Sequence, residues 1–94
     1  MKTGEAKVKD DVKKYLTSIG AYFFMPVQTG YGRTTLDFLV CYKGQFIGIE
    51  CKRPGVRECT RRQFHVIDKI VDAEGFAFVT DSVDWVKHQL RLFD

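Results

Sequence analysis

Two β-rich runs, Leu36 to Tyr42 and Phe46 to Lys52, carry the residues whose types and spacing could do chemistry: Asp37, Glu50 and Lys52. If the runs form a hairpin turning on Lys43-Gly44, Tyr42 faces Gln45, and counting back pair by pair sets Asp37 opposite Glu50. Period-two alternation puts Lys52 on the same face as Glu50. The register depends on that turn, because one residue more or less in the loop moves a whole strand to its other face. Two carboxylates facing each other across a ladder repel unless a cation lies between them. A hard cation such as Mg2+ or Mn2+ takes such oxygen ligands together with a backbone carbonyl and waters. Lys52 beside the pair could orient or deprotonate a water, or offset charge on a phosphoryl group in the transition state. Together these parts suit metal-assisted phosphodiester hydrolysis. The plainer account is a Glu50–Lys52 ion pair with Asp37 opening a strand. Against it stands the opposite face, Leu36, Phe38, Val40, Tyr42, Ile47, Ile49 and Cys51, which reads as core and makes the charged face conspicuous.

The elements that must position these residues follow from periodicity. Val8, Val12, Tyr15, Leu16 and Ile19 recur at helical spacing up to Gly20, predicting a helix over about Thr3 to Ile19 with Glu5 on its inward side. Ala21 to Met25 reads as a short strand ended by Pro26. The segment Gln28 to Thr35, with Gly30 and Gly32, reads as a loop suited to approach a ligand. Thr60-Arg61-Arg62-Gln63 has the form of a capping box opening a helix over about Arg61 to Glu74, with Gly75 as its stop. Phe76 to Thr80 is a fourth strand, and Asp81 or Ser82 caps a last helix bearing Val83, Trp85, Val86 and Leu90. The order αβββαβα describes an α/β fold. It has a mixed sheet of about four strands flanked by helices, the Phe46 and Phe76 strands being parallel neighbours across a helical crossover.

At 94 residues, one domain spanning 1–94 is expected, so the chemistry has to share one core. Fifteen basic against twelve acidic residues leave a net charge of +3, compatible with a polyanionic partner but far from histone-like. No apolar run resembles a signal peptide or a membrane span, so an intracellular, cytoplasmic protein is expected. Cys41, Cys51 and Cys59 show no CxxC spacing and are expected to be reduced thiols. A zinc site fails because Cys41 and Cys51 fall on opposite faces of the hairpin, and Cys59 with His65 lacks a third member for nucleophilic catalysis. Lys52, Arg53, Arg57, Arg61 and Arg62 crowd one stretch with only Glu58 opposing them. Such a run is usually a solvated loop, but beside the carboxylates it points to phosphate contacts along DNA, with Arg33 as a further contact.

Leu36-Asp37, then Gly48-Ile49-Glu50-Cys51-Lys52, then Thr60 to Gln63 opening a helix, resembles the PD-(D/E)xK nucleases, which have a restriction-endonuclease-like core. The closest resemblance is to the VRR-Nuc branch, related to archaeal-type Holliday junction resolvases. The motif's proline is Leu36 here, a position that shapes backbone and supplies no ligand. The resemblance implies that Asp37 and Glu50 bind Mg2+ or Mn2+, that the Cys51 backbone carbonyl adds a ligand, and that Lys52 is the catalytic lysine. It also maps a helical glutamine to Gln63 and a first-helix acid to Glu5, a catalytic residue and further candidate metal ligand. Each has a competing local role, Gln63 in the capping box and Glu5 at the positive end of the helix dipole. The implied activity is a structure-selective endodeoxyribonuclease acting on branched DNA, four-way junctions above all. Two symmetric cuts in a junction need two active sites and hence a homodimer, through the Trp85 or the Phe23 surface. Short members of the family occur in bacteriophages, which would place the protein in the host cytoplasm. A nuclease without junction preference and a non-catalytic DNA-binding module on the same fold are the alternatives.

Overall fold

The computed structural model describes residues 3–27 and 34–94. Its elements follow the expected order: α1 (Gly4–Ser18), β1 (Tyr22–Phe24), β2 (Phe38–Tyr42), β3 (Gln45–Cys51), α2 (Arg61–Asp72), β4 (Phe76–Thr80) and α3 (Val83–Leu90), with a closing 3-10 turn at Arg91–Phe93 that periodicity did not reveal. The strands form one mixed sheet in the order β1-β2-β3-β4. The β1–β2 and β2–β3 pairs are antiparallel and the β3–β4 pair is parallel. Tyr42 pairs with Gln45 and Phe38 with Ile49, the register expected for a turn on Lys43-Gly44. Both turn residues have positive φ, 52° and 79°, as a two-residue hairpin of the type I′ kind requires.

The sheet separates two environments. On one face Phe38, Val40, Ile47, Ile49 and Cys51 pack with Val8, Val12 and Leu16 of α1 and with Val86 and Leu90 of α3, all of them buried. Alternation turns Gly48 to the opposite face, where α2 lies so close that a Cβ at this position would meet Ile70 Cδ1 at 2.8 Å. A side chain there would force the ends of Ile70 and Leu36 to shift.

Two expectations are corrected on this second face. Leu36 does not continue the row of Phe38 and Val40. It is fully buried, but its Cδ1 lies 2.7 Å from where a Gly48 Cβ would stand, on the α2 side. The strand begins at Phe38 and not at Leu36, so alternation no longer governs Leu36. Gly75 is likewise not the residue that turns α2 off. The left-handed position is Glu74, with φ 69°, and Gly75 N–H reaches back to Ile70 O at 2.8 Å to close the helix end. Gly75 is needed because a Cβ there would meet Ile70 Cγ2 at 2.8 Å.

Caps define the other ends. Thr3 accepts from the Ala6 N–H, and Ser82 accepts from the Trp85 N–H at 3.3 Å. Asp81, the other candidate cap, instead takes the Gly55 N–H at 3.1 Å and draws the loop after β3 toward the end of β4. Cys41 is exposed and Cys51 buried on opposite faces of the hairpin, and all three cysteines are free. Among the described residues no helix is long and apolar enough to cross a membrane.

Candidate active site

The site forms where β2 leaves the ladder. The last backbone pair is Phe38 with Ile49, and one residue earlier the side chain of Asp37 takes over. Its Oδ2 accepts from the Cys51 N–H at 2.9 Å, a donor that the departing strand no longer meets. In return, the Asp37 N–H donates to Glu50 Oε1 at 3.2 Å. Each carboxylate is therefore braced by the other's strand. Glu50 is only 3% exposed, a buried acid on the face that otherwise carries α2.

From α1, Glu5 brings a third carboxylate, with oxygens of Glu5, Asp37 and Glu50 all within 4.8 Å of one another. The inward side expected for Glu5 is the side that meets the cluster, although the residue stays exposed at the open end of the site. Glu50 shows the strain of this crowding. Burial, and then the neighbouring Asp37 charge, push its carboxyl up from 4.5 to about 7, while Lys52 pulls the other way. Burial also pushes the Cys51 thiol far up, so this cysteine is a core residue and not a nucleophile.

The Gln63 amide makes contacts at both its helix end and the carboxylates. Its Oε1 accepts from the Thr60 N–H at 2.9 Å, completing the capping box, and from Lys52 Nζ at 2.8 Å. Its Nε2 donates to Glu50 Oε2 at 2.7 Å. The start of α2 is thereby tied to the metal-ligand candidates through a single amide. Lys52 Nζ stands 3.6 Å from Glu50 Oε2, beside it as alternation requires, and the two form the ion pair of the plainer account.

Sequence reasoning missed Lys9. Its ammonium lies 3.3 Å from Asp37 Oδ1. Burial alone would lower its pKa, but the Asp37 charge and hydrogen bond outweigh that and raise it. The signal was present: Lys9 follows Glu5 by one helical turn, so the spacing that turns Glu5 inward turns Lys9 with it.

The basic stretch is dispersed. Arg53, Arg57, Arg61 and Arg62 are all exposed. Arg53 lines an open cavity of about 450 Å³ with Thr3, Gly4, Glu5, Lys52 and Val56, beside the carboxylates. Arg57 is engaged elsewhere, 3.4 Å from Asp81 Oδ1 and 6.0 Å from the centre of the Trp85 ring. Arg33 lies outside the described residues.

No protein-family model and no curated protein matches the chain. A solved structure described as a VRR_NUC domain shares its fold, with a TM-score of 0.81 and 18% sequence identity, covering 99% of this chain and all of that one. The expected α/β architecture, a four-stranded mixed sheet flanked by helices, is thus the one this chain adopts, and that VRR_NUC domain shares it.

Proposed function

We propose that this chain is a divalent-metal-dependent nuclease of the VRR-Nuc kind that hydrolyses phosphodiester bonds in branched DNA. One observation carries the reading: three carboxylates converge within 4.8 Å while the most buried of them is bound by both Lys52 and Gln63. A cluster of hard oxygen donors held together against its own repulsion fits Mg2+ or Mn2+. Asp37, Glu50 and Glu5, with the Cys51 carbonyl, would hold the ion. When bound, it polarises a phosphoryl oxygen and makes an attacking water more acidic.

The chain's own residues do the rest. Gln63 fixes the Glu50 carboxylate and the Lys52 ammonium on one amide, so that neither is free to rotate away. Lys52 faces the cavity at the start of α1 and supplies positive charge where a scissile phosphate would develop negative charge. Arg53 on the same wall, with Arg61 and Arg62 at the start of α2, contacts flanking phosphates without reading bases. Arg57 acts first as a strut between its loop and Asp81.

Cutting a four-way junction symmetrically takes two such sites, and the chain therefore acts as a homodimer. Of the two surfaces expected to pair, Phe23 is turned inward against Phe38, with ring centres 5.9 Å apart. Its neighbours Tyr22 and Phe24, 76% and 59% exposed, are the apolar side chains of β1 open to a partner.

The test is incubation of the protein and its Lys52→Ala form with labelled four-way junction, flap, duplex and single-stranded DNA, in Mg2+, Mn2+ or chelator. The metal-dependent product should fall at least about 100-fold on losing Lys52. Equal activity of both forms, or no metal-dependent cleavage of any substrate, sinks the catalytic reading. Cleavage of duplex as fast as junction leaves a nuclease without the junction preference.

A further inference from the structure

The carboxylate cluster carries two lysines, and the catalytic reading uses only one. Lys52 balances Glu50, on the α2 side. Lys9 comes from the other side of the sheet, on α1, and places its ammonium 3.3 Å from Asp37 Oδ1, an oxygen of the acid whose other oxygen is taken by the Cys51 N–H. Glu5, one turn earlier on the same helix, adds to the attraction.

We propose that Lys9 is the resident counter-cation of this site: it holds Asp37 in the ligand position while no metal is bound, and a divalent ion must displace it from Oδ1. This rests on the metal-site reading given above.

The charges make the case. Three carboxylates within 4.8 Å of one another would carry three negative charges when ionised, against the two positive charges of Lys9 and Lys52. Lys52 is bound to Gln63 at 2.8 Å and stands 3.6 Å from Glu50, whereas the ammonium paired with Asp37 is that of Lys9. Lys9 is suited to leave. Its side chain is 36% exposed on a flexible stem, whereas the Asp37 side chain it binds is 11% exposed and braced by backbone. A cation that approaches Asp37 therefore meets a ligand already in place, but one with a competitor on it. Lys9 lowers metal affinity in return for an ordered, metal-free site. It thereby sets the concentration of ion at which the site fills.

The experiment is a Mn2+ titration of the wild-type chain, Lys9→Met and Lys9→Arg, followed by calorimetry and by the paramagnetic signal of free Mn2+, with no DNA present. Lys9→Met keeps the stem and removes the charge. It should bind Mn2+ about three- to tenfold more tightly, the range a partly screened ion pair supports, and Lys9→Arg should return to the wild-type value. Melting gives the second readout. In chelator Lys9→Met should melt below wild type, and saturating Mn2+ should raise it by more than it raises wild type. A lysine that only packs would lower both curves equally, with no change in Mn2+ affinity, and that result overturns the proposal. If Lys9→Met melts too early to titrate, Lys9→Gln is read in the same way.

Glu50→Gln separates this failure from failure of the metal site itself. Mn2+ binding lost in Glu50→Gln but unchanged in Lys9→Met overturns the role of Lys9 alone. A wild-type chain with no saturable Mn2+ site, or one indifferent to Glu50→Gln, overturns both.

Discussion

Raising the pH of the metal-free protein should weaken it, and Glu50 is the reason. In the folded chain its carboxyl is pushed up from 4.5 to about 7, by burial first and by the Asp37 charge second. Below the ordinary value both folded and unfolded chains carry the proton. Between that value and about 7 only the folded chain does, so unfolding releases a proton and rising pH favours it. Above about 7 the full penalty is present. A shift of this size is worth about 3 kcal/mol at about 1.4 kcal/mol per pH unit, and the 5% exposure of the side chain leaves little room for solvent screening. That is a large part of the stability of a small domain, roughly 5–10 kcal/mol. The assay is urea unfolding in chelator from about pH 4.5 to about pH 8, for wild type and Glu50→Gln. The amide introduced by Glu50→Gln cannot ionise, but the Asp37 N–H and Gln63 Nε2 donate to different oxygens of Glu50, and in the variant one of these positions is an NH2 facing a donor, which costs about 1 kcal/mol. The variant should therefore be the weaker protein at the acid end and the stronger by about 2 kcal/mol at the alkaline end, so that the two curves cross. Excess Mn2+ should flatten the wild-type slope, because the ion takes the place of the proton. Parallel wild-type and variant curves would refute the reasoning, since burial would then not be raising the Glu50 carboxyl at all.

Gln63→Leu should lose about 1–2 kcal/mol in the same unfolding assay, through the broken capping box and the lost bond to Glu50, and should slow metal-dependent cleavage as Lys52 loses its anchor. Gly48→Ala should cost about 1–3 kcal/mol by overpacking, because its Cβ meets Leu36 on one side and Ile70 on the other. Glu74→Gly should raise stability by about 0.5–1 kcal/mol, measured by thermal unfolding, since a non-glycine residue holds φ 69° there.

The sequence by itself determined the elements, their order, the hairpin register and the parallel β3–β4 neighbours, because each rests on local periods, caps and one tight turn. Asp37 opposite Glu50 followed from the turn at Lys43-Gly44 alone. The capping box was legible for the same reason, as a pattern four residues long. Only the tertiary structure decided that the Gln63 amide reaches Glu50 and Lys52 while capping its own helix. It also decided that Leu36 crosses to the α2 side where β2 leaves the ladder, and that Glu74, not Gly75, takes the left-handed turn. Lys9 is the clearest case. Helical spacing turns it to the same side as Glu5, but its meeting with Asp37 depends on where α1 lies across the end of the sheet. That distance is set by how Val8, Val12 and Leu16 seat against Phe38 and Ile49, a non-local fit of side-chain shapes that no period along the chain encodes.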